Sequence, residues 1–413
     1  MGESQRISRI VRLKWLPAAV MVGVGALALS ACGSSVSTSA TKPSGGTIQV
    51  GVLGPLTGGG ASYGTEWWQG VQLAVNQINK SGGITVSGAK YKIKATVCDD
   101  QFLPSKAVSC AQRLVSTVHP VALMMPSSVE AIPLMGFNQQ DNFLLMATSQ
   151  DHSFTSQGNK LVVRIVNDTS QTIGGTVKLA QEYFASIGLT AHRAAVMQVD
   201  TPLGASWAQG FDKAWKATPG DSVTATASYD ANSTSFTNQV QSLMSTNPQV
   251  VVLTTVCQPS AIAVKEFRQA GFKGGFIQSA ACSGGSGLTP YISASQIGPF
   301  VTEAFPYLFP NTSPSVAKFF TQFKAAYGHD PIQAATAPGF QAVKWLALSI
   351  EKAGTATNAA AIHKEFGVVL PQLNAEGANL MGVTSYNPNT GQISMAMGLG
   401  VTTSSGGLVQ YKG

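Results

Sequence analysis

The hydrophobic positions change period along the chain. From Thr47 onward, short apolar runs alternate with longer stretches in which apolar residues recur three and four apart. The first is the signature of strands and the second of amphipathic helices. The clearest instance is the segment from Ile48 to Ile84. Ile48, Val50 and Val52 share one face of a strand, and a Gly- and Ser-rich loop follows. Tyr63 ends the loop, and Val71, Ala74, Val75 and Ile78 then form the core-facing stripe of a helix. Strand, small-residue loop and helix N-terminus make a place where a small ligand can lie against backbone N–H groups.

The alternation runs on. Lys92–Val97, Val121–Met125 and Phe143–Ala147 read as strands. Lys106–Thr117, with Ala107, Cys110, Ala111 and Leu114 on one face, and Val129–Gln140 read as helices. This is the pattern of a parallel sheet flanked by helices. It then restarts. Gln171–Ile187, Gly204–Ala217, Phe236–Ser245 and Pro259–Ala270 read as helices. Arg193–Gln198, Val250–Thr255 and Gly275–Gln278 read as strands. Two α/β units of similar construction are expected, joined near Ile165–Asp168. A mainly helical block follows at Ser315–Tyr327, Thr336–Lys352 and Asn358–Phe366. It has too few strands to stand alone and is expected to pack back onto the first unit. A length of 413 residues agrees with two cores rather than one.

Ahead of the first strand the pattern differs. Arg6, Arg9, Arg12 and Lys14 precede an apolar run from Trp15 to Leu29, and Leu29-Ser30-Ala31-Cys32 follows. The run matches a signal-peptide core and is short for a membrane span of roughly 20 residues. Leu-Ser-Ala-Cys resembles a bacterial lipobox. That resemblance implies cleavage before Cys32 and lipid on its sulfur; an uncleaved anchor or an ordinary secretory signal are the other readings. Gly33–Gly46 reads as a flexible tether, holding the folded part roughly 20 Å from a membrane surface. Much of the formal charge of +7 lies in the leader. The other basic residues are scattered, which argues against a nucleic-acid partner.

Four cysteines follow Cys32: Cys98, Cys110, Cys257 and Cys282. Export permits disulfides. Of the three pairings that four cysteines allow, the short-range ones, Cys98 with Cys110 and Cys257 with Cys282, are the economical choice. A zinc site is the rival, but there is no CxxC and the five histidines are dispersed.

GPLTGGGASYG, QGVQLAVNQINKSGGI and CDDQFLPSKAVSCAQRLV, taken with FNQQDNFLLMATSQDHSFT at Phe137–Thr155 and PGFQAVKWLALSIEKAG at Pro338–Gly354, resemble type I periplasmic binding proteins. The likeness is to the branch that binds branched-chain amino acids, amides and urea. Each motif is loose, but their order and spacing are specific. The resemblance implies an α/β fold of two Rossmann-like lobes with a three-stranded hinge, and a ligand held in the cleft between them. The expected boundaries are a leader at 1–31, lipidated Cys32 and tether at 32–46, a first lobe at 47–165 plus 302–384, and a second at 166–301 plus 385–413.

The family's pattern also nominates ligand contacts. Tyr63 stands where the family places an aromatic against the ligand. Ser127 and Ser128 follow a strand and open a helix, so hydroxyls and N–H groups converge there. Thr148 and Ser149 occupy a second such loop, and Gln258 follows the strand Val250–Thr255. Phe340 matches a family tyrosine without its hydroxyl. Asp99-Asp100 reads as a capped, solvent-facing turn. The family's acid, which pairs with a ligand ammonium, falls near Ala280–Cys282, where this chain has no carboxylate. Leu203 stands in place of a family tyrosine. A buried ammonium without counter-charge is costly, so an acid, amide, aromatic or neutral solute is expected rather than a standard α-amino acid.

No GxGxxG, GxxxxGK[ST] or HExxH occurs. Ser315-x-x-Lys318 lies on an expected helix and reads as a solvated face. The expected function is therefore not enzymatic. It is extracytoplasmic capture of a small polar solute by a monomer, without cofactor or metal, and delivery to an ABC permease, with the membrane engaged through lipid on Cys32. A ligand sensor for a membrane receptor, or an envelope interaction protein without a small ligand, are the alternatives.

Overall fold

A computed structural model describes residues 45–412. The leader, Cys32 and most of the tether lie outside the described residues. The first lobe begins with β1 (Thr47–Gly54), α1 (Ala61–Lys80), β2 (Ile84–Val86), β3 (Ala89–Asp99) and α2 (Pro104–Val118). It continues through β4 (Ala122–Met125), α3 (Ser128–Leu134), β5 (Leu144–Ala147), α4 (Ser153–Ser156) and β6 (Val162–Arg164). The second lobe runs α5 (Thr169–Ser186), β7 (Arg193–Val199), α6 (Pro202–Trp215), β8 (Ser222–Tyr229) and α7 (Thr237–Met244). It goes on with β9 (Val250–Leu253), α8 (Cys257–Gln269), β10 (Gly275–Gln278), α9 (Gly285–Leu288), α10 (Ala294–Ile297) and β11 (Phe300–Ala304). The chain then returns with α11 (Pro314–Tyr327), α12 (Thr336–Ala353), α13 (Ala359–Val368), α14 (Leu370–Ala375), β12 (Val383–Asn387) and β13 (Gln392–Met395). Two strands, β14 (Gly398–Thr402) and β15 (Leu408–Tyr411), finish the second lobe.

The first sheet has the order β2-β3-β1-β4-β5-β6, and only the β2–β3 pair is antiparallel. The second has the order β15-β14-β11-β10-β9-β7-β8, antiparallel only where β14 and β15 join. Each sheet reverses its direction of winding once, between β1 and β4 and between β7 and β9. Loops leaving such a point diverge and open a crevice at the strand ends. The crevices are bordered by residues 55–60 and 126–127 in one lobe and by 200–203 and 254–256 in the other.

Local chemistry sets the elements. The Asp168 side chain accepts from the N–H of Ser170, and Gln171 reaches back to the Asp168 N–H, so a capping box starts α5. Thr201 caps α6 ahead of Pro202, and Ser313 caps α11 ahead of Pro314. The helical block packs on the first lobe as expected. α1 and α12 cross at glycines: a Cβ on Gly70 would fall 2.1 Å from the Thr336 carbonyl oxygen, and one on Gly339 2.6 Å from that of Trp67.

Several expectations change. Val129–Gln140 is helical only to Leu134, because Pro133 sits inside α3 and turns follow. β8 was hidden by its polar, half-buried edge position, and β11 by Thr302 and Glu303 inside it. The chain crosses between lobes after Arg164, after Ala304 and after Met395. The last two crossings replace the expected 301/302 and 384/385, which would cut through β11 and β12. The β12–β13 hairpin packs against α13, α14 and β6 and so stays with the first lobe.

Cys98 bonds to Cys110 and Cys257 to Cys282, with Cα–Cα distances of 5.7 and 4.7 Å. The first ties the end of β3 to α2, and the second ties the start of α8 to the loop after β10. Replacing Cys257 and Cys282 together by serine is expected to cost about 2–4 kcal/mol in urea unfolding. An unchanged midpoint would show that the crosslink does not hold the second lobe together.

Candidate ligand-binding site

The loop after β1 is fixed from below. Asp99, at the end of β3, accepts from the Leu56 N–H at 2.8 Å and the Thr57 hydroxyl at 2.6 Å. The loop reaches α1, where Tyr63 lies in the first turn with 6% exposure. The Tyr63 hydroxyl donates to the Pro126 carbonyl at 2.8 Å, and the Thr148 hydroxyl donates to the same oxygen. Burial raises the Tyr63 phenol well above its ordinary value, so it stays a neutral donor. One carbonyl thus joins the loops after β1, β4 and β5.

Ser127 caps α3. Its oxygen accepts from the Val129 N–H at 3.0 Å, and its hydroxyl lies 2.5 Å from a Glu130 carboxyl oxygen. Ser128 and Ser149 bond to each other at 2.8 Å, both fully buried. On the far side of α1, Glu66 accepts from the N–H groups of Ile332 and Gln333 at 3.0 Å and from the Thr336 hydroxyl. That carboxylate holds the turn carrying Ala334 and Pro338.

These elements enclose a pocket between the lobes. The first lobe contributes Tyr63, Ser127, Thr148, Gln150, Ala334 and Pro338. The second contributes Leu203, Ala280 and Ala281. The crossing segments supply Val166, Phe305 and Tyr307, whose two rings stack at 5.8 Å. The remaining space is about 20 Å³, room for roughly one water, so this is a closed arrangement. The lobes also meet at the mouth, where a Cβ on Gly59 would fall 3.2 Å from the Ala231 carbonyl oxygen.

Of the residues nominated from sequence, Tyr63, Ser127 and Thr148 line this pocket. Ser128 and Ser149 lie behind it and knit its two loops together. Gln258 and Phe340 do not line it. Gln258 is half-buried on α8, and Phe340, on α12, packs on Phe319 of α11 at 5.3 Å. Asp100 is fully buried rather than solvent-facing, and its carboxyl accepts from the Phe102 N–H at 2.9 Å.

Sequence reasoning missed Gln150, Phe305, Tyr307 and, above all, Glu303. The inference that the second wall lacks a carboxylate is corrected by the fold. Glu303 on β11 is fully buried and accepts from the Ala280 N–H at 3.3 Å, in the very stretch that carries no acid of its own. It also accepts from the Trp207 indole at 3.0 Å and the Gln150 amide at 3.2 Å. A charged residue within the apolar run Phe300–Phe305 was the signal available in sequence.

The family model for periplasmic binding proteins matches residues 47–407. The chain belongs to the periplasmic binding protein family. Its fold is that of type I periplasmic binding proteins. It is 28% identical over 327 residues to a Leu/Ile/Val-binding protein homologue of Brucella melitensis, covering 77% of this chain and 82% of that one. An amino acid binding protein of Pseudomonas aeruginosa shares 39% identity over 77 residues, 19% of this chain and only 20% of that protein. Among solved structures, a leucine-binding protein of Thermotoga maritima superposes with a TM-score of 0.73 at 20% identity, over 88% of this chain and 98% of that one. Proteins of this family bind solutes rather than transform them, and they work outside the cytoplasm. No helix among the described residues is long and apolar enough to cross a membrane.

In this binding protein, Gly59→Leu is expected to prop the mouth open. Solute affinity should fall about tenfold, because the closed state then becomes a minor one. Small-angle scattering should show no compaction on adding solute. Compaction equal to that of the wild type would contradict the closed contact at Gly59.

Proposed function

We propose that this binding protein captures a small polar solute between its lobes and delivers it to an ABC permease, held at the outer face of the cell membrane by lipid on Cys32. The observation that carries the reading is the polarity of the two pocket walls. The first-lobe side offers the hydroxyls of Ser127 and Thr148 beside the Tyr63 phenol. The second-lobe side has the Glu303 carboxylate directly behind Ala280, without an ion-pair partner among the described residues. A solute with an acceptor group at one end, drawing off a hydroxyl hydrogen now spent within the first-lobe wall, and an ammonium or amide N–H at the other would meet both. Its donor end would take over the place of the Gln150 amide on Glu303. A ligand that touches both walls favours closure by its differential contacts, and the permease then reads the closed surface.

Glu303 thereby returns α-amino acids to the range of solutes, alongside amides. Leu203, Phe305, Val166 and Ala281 supply an apolar surround suited to a modest side chain.

Calorimetry with leucine, leucinamide, 4-methylpentanoate and isopentylamine separates the ends of the solute. The expected result is measurable binding only for compounds that carry both a carbonyl-type acceptor and a nitrogen donor. Glu303→Gln should weaken that binding roughly tenfold to a hundredfold, the loss of one charge-assisted hydrogen bond. Equal binding of the compound without nitrogen, or an unaffected variant, would refute the assignment of Glu303. No heat from any of the four, or from a wider set of acids, amides and amino acids, would refute solute capture.

A further inference from the structure

Behind Ser127 lies a pair of acids that the binding function does not by itself require. Asp100 follows β3 and Glu130 lies in the first turn of α3, and both are fully buried. Each leaves one oxygen without a donor: Oδ2 of Asp100 and Oε1 of Glu130. Neither has an ion-pair partner among the described residues. Two buried carboxylates that repel each other, with no cation, do not both hold a charge, and burial favours the protonated form of each.

The surroundings supply no other compensation. Tyr63 on α1 faces the pair as a neutral phenol, and Asp99 beside it adds a second negative charge. On the other elements packed against α3, the charged residues are Lys106 and Arg113 on α2, Asp151 and His152 ahead of α4, and Asp212 and Lys213 on α6. Lys106, Arg113, His152 and Lys213 are exposed, and Asp151 and Asp212 are half-exposed. Burial, opposed by the Ser127 hydroxyl, pushes Glu130 up to about 7. Burial and then the Glu130 charge push Asp100 up to about 9. The Glu130 proton is therefore held below neutrality and released as pH rises through it, while Asp100 keeps its own.

The consequence reaches the pocket through one atom. The Ser127 oxygen already accepts from the Val129 N–H. When Glu130 is ionised, the Ser127 hydrogen is spent on it. When Glu130 is protonated, its own O–H donates to Ser127, and the serine hydrogen is free to turn into the pocket that Ser127 lines.

We propose that Glu130 is a positioning residue of the cleft, whose proton turns the Ser127 hydroxyl toward the acceptor end of a bound solute. The proposal rests on the solute-capture reading for its consequence, but its proton does not. Ionisation would withdraw that donor and place a negative charge behind the same wall. Solute affinity would then fall as pH rises through neutrality. Fold stability moves the same way. An unfolded glutamate ionises near about 4.3, so stability gained from the tightly held proton declines as pH rises toward the folded value.

Isotope-edited infrared spectroscopy of the full chain, with carbon-13 glutamate, tests this without any ligand. The protonated-carboxyl band should be present at pH 6, fade through neutral pH and be absent in Glu130→Gln; Glu66, also shifted up by burial, remains in both samples and cancels. In Ser127→Ala the fading should move up by about one pH unit or more, because the carboxylate loses its donor. A wild-type spectrum identical to that of Glu130→Gln would overturn the proposal, and so would an unmoved midpoint in Ser127→Ala. In a parallel titration, leucine affinity should drop severalfold where the band fades and stay flat in Glu130→Gln, whose amide donates to Ser127 at every pH. A pH-independent leucine affinity in the wild type would also overturn it. No leucine binding at any pH counts against the amino-acid reading alone and leaves the infrared result to decide the proton.

Discussion

A cleft between two sheet ends closes only where the polar groups it buries find partners, and Glu303 is the group on which this closure turns. Its carboxylate is fully buried in the second lobe, and its donors come from three places. Trp207 approaches from α6, the Ala280 N–H from the loop after β10, and the Gln150 amide from the first lobe. Because the last donor belongs to the opposite wall, satisfying this carboxylate and bringing the lobes together are coupled. A carboxylate with one interchangeable donor is also a natural reader of a solute's nitrogen.

The first-lobe wall is held by a different buried charge. Arg164, at the end of β6, donates to the Ser149 and Asp151 carbonyls and to the Thr155 hydroxyl, and lies 3.6 Å from Asp168. Asp168 in turn caps α5, the first helix of the second lobe. The guanidinium therefore ties the loop bearing Thr148 and Gln150 to the segment that crosses between lobes. Burial lowers its pKa to about 10, offset by Asp168 and Asp151, so it remains charged at physiological pH. A buried charge in such a node costs stability unless every donor is used, and its return here is position. The recognition loop is thereby tied to the segment that crosses between lobes.

Much of the architecture was legible because the chain writes it locally. Apolar runs marked the central strands β1, β4, β5, β9 and β10, and spaced stripes marked α1, α2 and α12. What stayed hidden depended on contacts distant in sequence. β8 and β15 are half-polar edges, and β11 carries a glutamate whose donors lie 23 and more residues away. The site divided the same way. Tyr63, Ser127 and Thr148 follow strand ends, where the winding of the sheet opens a crevice, and position in the pattern found them. Ser128 and Ser149 share that pattern, but one residue along the chain turns each side chain away from the cleft. Phe340 lies on a helix face, where periodicity cannot tell a cleft from a core. The acid expected near Ala280–Cys282 was sought in the wrong stretch of chain, because a position in space can be filled from a neighbouring strand.

The central claim is that one small solute bridges the two walls, its acceptor end on the hydroxyl side and its nitrogen on Glu303. A crystal structure of the protein with the solute selected by calorimetry tests it most directly. The expected electron density lies between Tyr63 and Ala280, with a solute nitrogen within hydrogen-bonding distance of Glu303, the Gln150 amide displaced from it, and an acceptor atom beside Ser127 and Thr148. Solute bound outside this pocket, or inside it with the Gln150–Glu303 bond intact, would contradict the claim.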